Sequence, residues 1–318
     1  SMVVLVKKED SSTGFRMCIN FIELNKITRP LCYPLPSIKH IVESLIGMKY
    51  FAKLDLRNAY AQVNIVPEDR YLTAFVTPDG LYEYNRMPFG LKNAAPYFQQ
   101  QLTEILSQFI STKCYVFIDD IIIFAEDEIN LLENVSLVLK VLCDRKIRLK
   151  SSKCHFGIRE VKFLGYMINE QGIKKDEASK QGILDMARPT NKAQIRSFLG
   201  MTNQFRDFID NYVDIVKPLQ ILVNLDKKHF VWNDEQEQAF IKIKKAIIDT
   251  QLRNHIDYNF IIFLRTDASL NGIGGELYQI IKDLHCTILF ISHKFNEQEE
   301  KWSTIEQEGY AIFYCITI

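Results

Sequence analysis

No apolar run in this 318-residue sequence approaches the ~18 residues that a membrane-spanning helix needs, so no bilayer contact is expected. No C-x-x-C pair occurs among its seven cysteines, which argues against a zinc ribbon; their odd number and scatter argue against a disulfide framework and fit a reducing compartment. The adjacent pair Cys154-His155 lacks further ligands at finger spacing and reads as structural. Net charge is missing too. Lys+Arg and Asp+Glu stand at 39 each, so no global basic field announces a nucleic-acid partner, although a balanced sum can hide local patches. Internal repeats, low-complexity tracts, long flexible linkers and a signal-peptide pattern are not visible either. "SMVVLVKKED" starts directly as a strand and "EGYAIFYCITI" stops within an apolar pattern, so the chain reads as an excerpt from something longer.

What is present is the composition of an ordinary globular protein, 47% hydrophobic and 25% charged, long enough for two or more domains. One stretch breaks its own pattern. In "YVFIDDIIIF", Tyr115 to Phe124, two adjacent carboxylates stand inside a run of Ile, Val and Phe. A carboxylate in apolar surroundings shifts its pKa, finds a partner or binds a metal; at a hairpin tip it can also be a plain turn residue. Phe98, Leu102, Ile105, Leu106 and Phe109 follow helical spacing, then strands are expected at 114–118 and 121–125. A helix opened by Asp127 and Glu128 should follow, with Leu131, Leu132, Val135, Leu139 and Leu142 on its apolar face.

Upstream, "YFAKLDL" alternates, with Phe51, Lys53 and Asp55 on one face and Ala52, Leu54 and Leu56 on the other. Asp55 then ends a strand on its more polar face. "KIRLK" alternates as well, which predicts a further strand bearing Lys146, Arg148 and Lys150, the strongest local basic patch. Beyond Gly172 the pattern turns helical: Ile195, Phe198, Leu199, Thr202, Phe205, Phe208 and Ile209 make one stripe, with Lys192, Arg196 and Arg206 off it, free to track a phosphate backbone. From about residue 259 three strands and the start of a helix are expected.

Acids on strand ends and at a hairpin tip suit phosphoryl transfer by two divalent cations, held roughly 3.5–4 Å apart on rigid oxygen ligands. Spacing alone does not bring Asp55 to Asp119. Nine motifs in one order carry the argument further: "FRMCINFIELNKIT", "CYPLP", "FAKLDLRNAYAQVNI", "TAF", "MPFGLKNAAPYFQ", "YVFIDDIIIFA", "LKSSKCHFG", "VKFLGYMIN" and "IRSFLGMTNQFRDFI". Together they resemble the reverse transcriptase of long-terminal-repeat retrotransposons of the gypsy group, related to retroviral pol. The resemblance implies an α+β fold: a right-hand polymerase with fingers and palm over 1–170, a helical thumb over 171–225 and a connecting segment over 226–258. An incomplete ribonuclease H-like domain would occupy 259–318.

Carried onto this sequence, the resemblance makes Asp55, Asp119 and Asp120 the catalytic acids. Asp55, Asp119, Asp120 and the carbonyl of Leu56 would be ligands for two Mg²⁺, with Mn²⁺ as an alternative. The primer 3′-hydroxyl, deprotonated at one metal, would attack the α-phosphate of a dNTP. Lys8 and Arg16 would grip the triphosphate, with Lys7 a rival for Lys8. Ala59, Tyr60, Phe89 and Gly90 would line the nucleotide pocket, Tyr60 leaving no room for a 2′-hydroxyl. Leu164, Gly165 and Tyr166 would position the primer end. Asp267 and Glu308 match two of the four ribonuclease H carboxylates, Glu306 being a rival for the second, and ribonuclease H activity is expected to be lost.

The implied partners are an RNA or DNA template, a DNA or tRNA-type primer and dNTPs, contacted mainly through the backbone; a homodimer is compatible. The implied location is cytoplasmic retroelement particles, or the nucleus. The family often has Arg where Ile22 stands in "INFIELN". That departure keeps open a second reading, a domesticated or decayed retroelement protein that binds nucleic acid without polymerising. The intact set of palm acids weighs against it.

Overall fold

The chain, seen in a computed structural model that describes residues 2–7, 14–224 and 230–317, divides into two units, Ser1–Val161 and Lys162–Ile318. The first opens with a two-stranded ribbon, β1 (Val3–Lys7) and β2 (Phe15–Ile19), in which Val3 faces Ile19 and Lys7 faces Phe15. Two short helices follow, α1 (Ile22–Ile27) and α2 (Ile38–Ser44), the second capped by the Ser37 hydroxyl accepting from the His40 amide. Next come β3 (Tyr50–Asp55) and a small hairpin, β4 (Phe75–Thr77) with β5 (Gly80–Tyr82). Helix α3 (Ala94–Ile105), β6 (Cys114–Phe117), β7 (Asp120–Ala125), α4 (Glu128–Asp144) and β8 (His155–Ile158) complete the unit.

Strands β6, β7, β3 and β8 form one antiparallel sheet in the order β6-β7-β3-β8. The alternation expected of "YFAKLDL" is realised: Ala52, Leu54 and Leu56 enter the main core with Ile121 and Ile123. That face is covered by Phe98 and Leu102 of α3 and by Leu131, Val138 and Leu142 of α4. Full burial of each Leu, Ile or Phe is worth about 1.5–3 kcal/mol, so this face anchors the sheet. The opposite face is not bare. Phe51 and Ile122 are fully buried, and Tyr115 stacks on Phe124 with ring centroids 5.6 Å apart.

Two expectations are corrected here. On α4, Leu132 is 72% exposed and Val138 takes its place in the core, because 3.6-residue periodicity favours 131, 134, 138 and 142 on one side. "KIRLK" is not a strand. Helix α4 ends with Lys146 at φ +58 and the Ile147 amide donating to the Leu142 carbonyl. The chain then crosses the end of β3 with a single bridge, Leu56 to Leu149, and β8 takes the sheet edge.

In the second unit, β9 (Glu160–Phe163, spanning the division), β10 (Tyr166–Asn169), β11 (Gly172–Lys175) and β12 (Arg253–Asn254) form a sheet in the order β12-β11-β10-β9. The helical region therefore starts later than Gly172, after β11. Helices α5 (Glu177–Leu184), α6 (Lys192–Asn203), α7 (Tyr212–Asn224) and α8 (Asp234–Ile248) share a core built on Ile183, Ile195, Phe198, Phe205, Leu219 and Ile243. Asp176 and Asn191 cap α5 and α6, and Asn233 with Gln236 forms a capping box on α8. The last part is a meander, β13 (Ile262–Ser269), β14 (Gly272–Ile281) and β15 (Leu284–Lys294), with α9 (Thr304–Thr317) on one face.

Candidate active site

The β3–β7 pairing brings the two separated acidic motifs together: Asp55, the last residue of β3, is directly opposite Asp120, the first residue of β7. Residues directly opposite in an antiparallel pair put their Cβ atoms about 4.5–5.5 Å apart on the same face. Asp119 sits one residue earlier, in the two-residue loop that joins Phe117 to Asp120. Its carboxyl is pushed above the ordinary value by burial, by Asp120 and, less strongly, by Asp55; its own backbone hydrogen bond and Lys53 pull the other way. The acids thus share one electrostatic site.

Lys53, two residues before Asp55 on the same face of β3, reaches Asp120, with Nζ 3.0 Å from Oδ1. Among the described residues no three His, Cys, Asp or Glu side chains are already gathered as a metal cluster. Yet gathered carboxylates, one of them driven towards protonation first by burial and then by the others, are an oxygen donor set that gains most from a hard cation. The residues fit a hard divalent cation.

The turn that carries Asp119 is held under strain. Ile118 has φ +56, unusual for a β-branched residue in a position where two-residue hairpins favour glycine. Such a conformation costs on the order of 1–3 kcal/mol and persists only when its surroundings fix it. The fixing residue is Gln99 of α3, fully buried. Its Oε1 accepts from the Ile118 amide at 2.6 Å and its Nε2 donates to the Val116 carbonyl at 3.2 Å. Sequence reasoning missed Gln99 and the Lys53–Asp120 pair. A polar residue on the buried stripe of α3 was the only available signal.

The other side of Asp55 leads into a 3-10 turn, Ala59–Gln62, in which Ala59 is buried in the core and Tyr60 is half-buried. The Tyr60 ring meets Phe89 edge-on at 5.2 Å and Phe98 at 5.6 Å. Its hydroxyl pKa is raised, first by burial and then by the charge of Asp119. Tyr60, Phe89 and Asp119 therefore share one neighbourhood.

Gly90 follows at φ +95; a Cβ there would lie 3.3 Å from the Ile19 carbonyl oxygen, a close approach that favours glycine. Asn25 donates to the Gly90 carbonyl and accepts from the Lys92 amide, both at 2.8 Å, and ties "INFIELN" to "MPFGLKN". Ile22, where the family often has Arg, is 58% exposed at the start of α1. Of the two triphosphate candidates, Lys8 lies outside the described residues, and Arg16 is placed by its backbone in β2, paired with Val6. The backbone of Leu56 bridges Leu149 while its side chain is buried.

In the second unit, Leu164 (φ +50) and Gly165 (φ +82) form the tight turn between β9 and β10. The Gly165 carbonyl accepts from the Asp176 amide at 3.2 Å, and the Tyr166 ring lies 3.6 Å from Nζ of buried Lys175. Arg206 is spent inside the fold, donating to the Ser292 carbonyl, whereas Arg196 stays exposed.

Asp267 lies on β13 and Glu308 on α9. Asp267 pairs with Gly274, whose missing Cβ would meet Asn211, on one face of the sheet. The neighbouring Gly275 meets Cys315 of α9 on the other face. Glu306 is separated from Glu308 by its partners: it accepts from the Ser303 amide and hydroxyl and caps α9.

Comparison with known proteins agrees with this architecture. A family model described as "Reverse transcriptase (RNA-dependent DNA polymerase)" matches residues 6–168, and another, "RNase H-like domain found in reverse transcriptase", matches residues 232–317. The Retrovirus-related Pol polyprotein from transposon opus of Drosophila melanogaster is 35% identical over 329 residues, 99% of this chain and 33% of that protein. The corresponding polyprotein from transposon gypsy, also of Drosophila melanogaster, is 33% identical over 312 residues, 95% of this chain and 30% of that protein. A solved structure of the foamy viral protease-reverse transcriptase in complex with double-stranded DNA has a TM-score of 0.85 at 22% identity, covering 99% of this chain and 55% of that one; this likeness shows fold alone.

An α+β polymerase fold followed by an RNase H-like part is what the matches and the elements define. The chain belongs to the reverse transcriptase (RNA-dependent DNA polymerase) family, with relatives among the Pol polyproteins of long-terminal-repeat retrotransposons. It spans about a third of the length of the curated relatives it matches.

Proposed function

We propose that this chain is an RNA-directed DNA polymerase that extends a DNA primer with dNTPs on an RNA or DNA template. The observation that carries the reading is the terminal rung of the β3–β7 ladder, Asp55 opposite Asp120, with Asp119 in the adjoining turn. Asp55 and Asp119 would hold Mg²⁺ with the Leu56 carbonyl, and Asp120, already paired with Lys53, would complete the set. When bound, the two cations would supply charge neutralisation at the attacking and leaving oxygens.

The protein's own part is positioning. The primer 3′-oxygen bonds to the α-phosphorus as the bond to the bridging oxygen breaks; pyrophosphate leaves and the hydroxyl proton passes to solvent. Gln99 holds the turn beneath that reaction, and Tyr60, braced by Phe89 and Phe98, forms a wall against a 2′-hydroxyl. Arg16 would meet the triphosphate, and the turn Leu164–Gly165 with Tyr166 would position the primer end. Cleavage of RNA in a hybrid is not part of the proposed activity, since the sequence offers only Asp267 and Glu308 of the four ribonuclease H carboxylates.

Primer extension on an RNA template with Mg²⁺ tests the proposal. Incorporation by the wild-type chain, lost in Asp119→Asn, is the expected result. Retained affinity for a primer–template without Mg²⁺-dependent incorporation would replace it with the non-polymerising reading.

A further inference from the structure

A second charged site lies in the first unit, beside the end of β3, where the Arg57 amide donates to the Arg148 carbonyl and the Lys150 amide to the Asp55 carbonyl. Arg86, Arg145, Lys146 and Arg148 line a cleft of about 470 Å³ whose lining contains no acid. All four are exposed. No carboxylate among the described residues pairs with any of them. Like charges gathered without counter-charges repel one another, and an anion relieves that repulsion.

The cleft is also built. Gln62, at the end of the 3-10 turn that carries Tyr60, lines it. The Gln62 Nε2 donates to the carbonyls of Arg57 and Arg148 at 2.9 and 3.0 Å, and its Oε1 accepts from the Arg148 amide at 2.7 Å. Arg86 Nη1 donates to the Gln62 carbonyl at 3.1 Å, one of the five N–H donors of its guanidinium. Lys146 enters by a strained route. It occupies the left-handed position that ends α4, φ +58, where glycine is favoured, so the chain keeps a cation there against its backbone preference.

We propose that this cleft binds vicinal phosphate groups, either a free polyphosphate or the backbone of a single-stranded nucleic acid. Three guanidinium forks and an ammonium match several phosphate oxygens better than one carboxylate, and the volume is that of a small-ligand site. The site rests on the cation geometry and not on the polymerase reading.

The test is titration of the full chain, in EDTA so that the carboxylates hold no metal, with inorganic tripolyphosphate in one arm and a short single-stranded oligonucleotide in the other. Saturable binding to the wild type is expected in at least one arm, weakened by about tenfold or more in the Arg86→Gln/Arg148→Gln double variant. Binding of tripolyphosphate identifies the free source; binding of the oligonucleotide alone identifies the backbone, and the double variant should then flatten its salt dependence by roughly 1.4 in log–log slope. Lys146→Gly separates function from folding: its melting temperature should equal or exceed that of the wild type while binding weakens. Binding read in EDTA needs no polymerase activity, so failure of the polymerase reading does not touch this one. Absence of binding in both arms, or unchanged binding in the folded double variant, overturns the proposal.

Discussion

Asp55 and Asp120 form the terminal rung of the β3–β7 ladder, like charges directly opposed at the end of a sheet whose next inward rung is Leu54 with Ile121. Such a pair is destabilising unless something cationic stands by, and Lys53 on Asp120 offsets only part of it.

Asp119→Asn should therefore have two opposite effects. Incorporation should fall by about 10²–10³-fold or more, measured by primer extension. In EDTA the variant should melt higher than the wild type. The Asp119 carboxyl is raised in the folded state, so the folded protein binds its proton more tightly than the unfolded chain does. Stability is lost as pH rises from the ordinary carboxylate range through the raised value, and the penalty persists above it. The variant should lack that slope. Added Mg²⁺ should raise the wild-type midpoint more than that of the variant. A variant that melts lower in EDTA would contradict the electrostatic account.

Tyr60→Ala should open the pocket beneath the sugar. The ratio of ribonucleotide to deoxyribonucleotide incorporation should rise by about 10–200-fold, read from kcat/KM for a dNTP and its matching NTP. Loss of the contacts with Phe89 and Phe98 should lower stability as well. An unchanged ratio in a folded variant would remove Tyr60 from the gate.

Gln99→Leu leaves the Ile118 amide without its acceptor and the strained turn without its brace. It should cost about 1–3 kcal/mol in denaturant unfolding and lower kcat more than it raises KM. Ile118→Gly in the same background should recover part of the stability, since glycine tolerates φ +56, but not the rate. Equal recovery of both would mean that the strain itself does not position Asp119.

Lys175 gives a pH signature in the second unit. Burial lowers its ammonium pKa to about 8, against the pull of Asp207 and Asp176, and Tyr166 and Phe205 flank it. Below that value folded and unfolded chains are both protonated there. Between about 8 and the ordinary lysine value of 10.5 the folded state has released its proton and the unfolded state has not, so stability should rise with pH across that window. Lys175→Met should flatten the rise, checked by unfolding at a series of pH values. A wild type without the slope would contradict the burial account.

The sequence by itself determined the strands and most helices of the palm, because period-2 and period-3.6 apolar patterns act over a few residues. It also placed the acids of "KLDL" and "FIDD" at strand ends, and ordered motifs pointed to the family. Only the tertiary structure decided which rungs meet: register depends on long-range pairing, so Asp55 opposite Asp120 is invisible in either motif alone. It likewise decided partners. Gln99 on Ile118, Arg206 on Ser292 and Ser303 on Glu306 were left open by composition, since a polar side chain takes whichever donor or acceptor folding brings within reach. The alternation in "KIRLK" pointed to a strand, but the end of α4 and the edge already taken by β8 left it one bridge. Local pattern proposes an element; whether it finds a neighbour is settled by the rest of the chain.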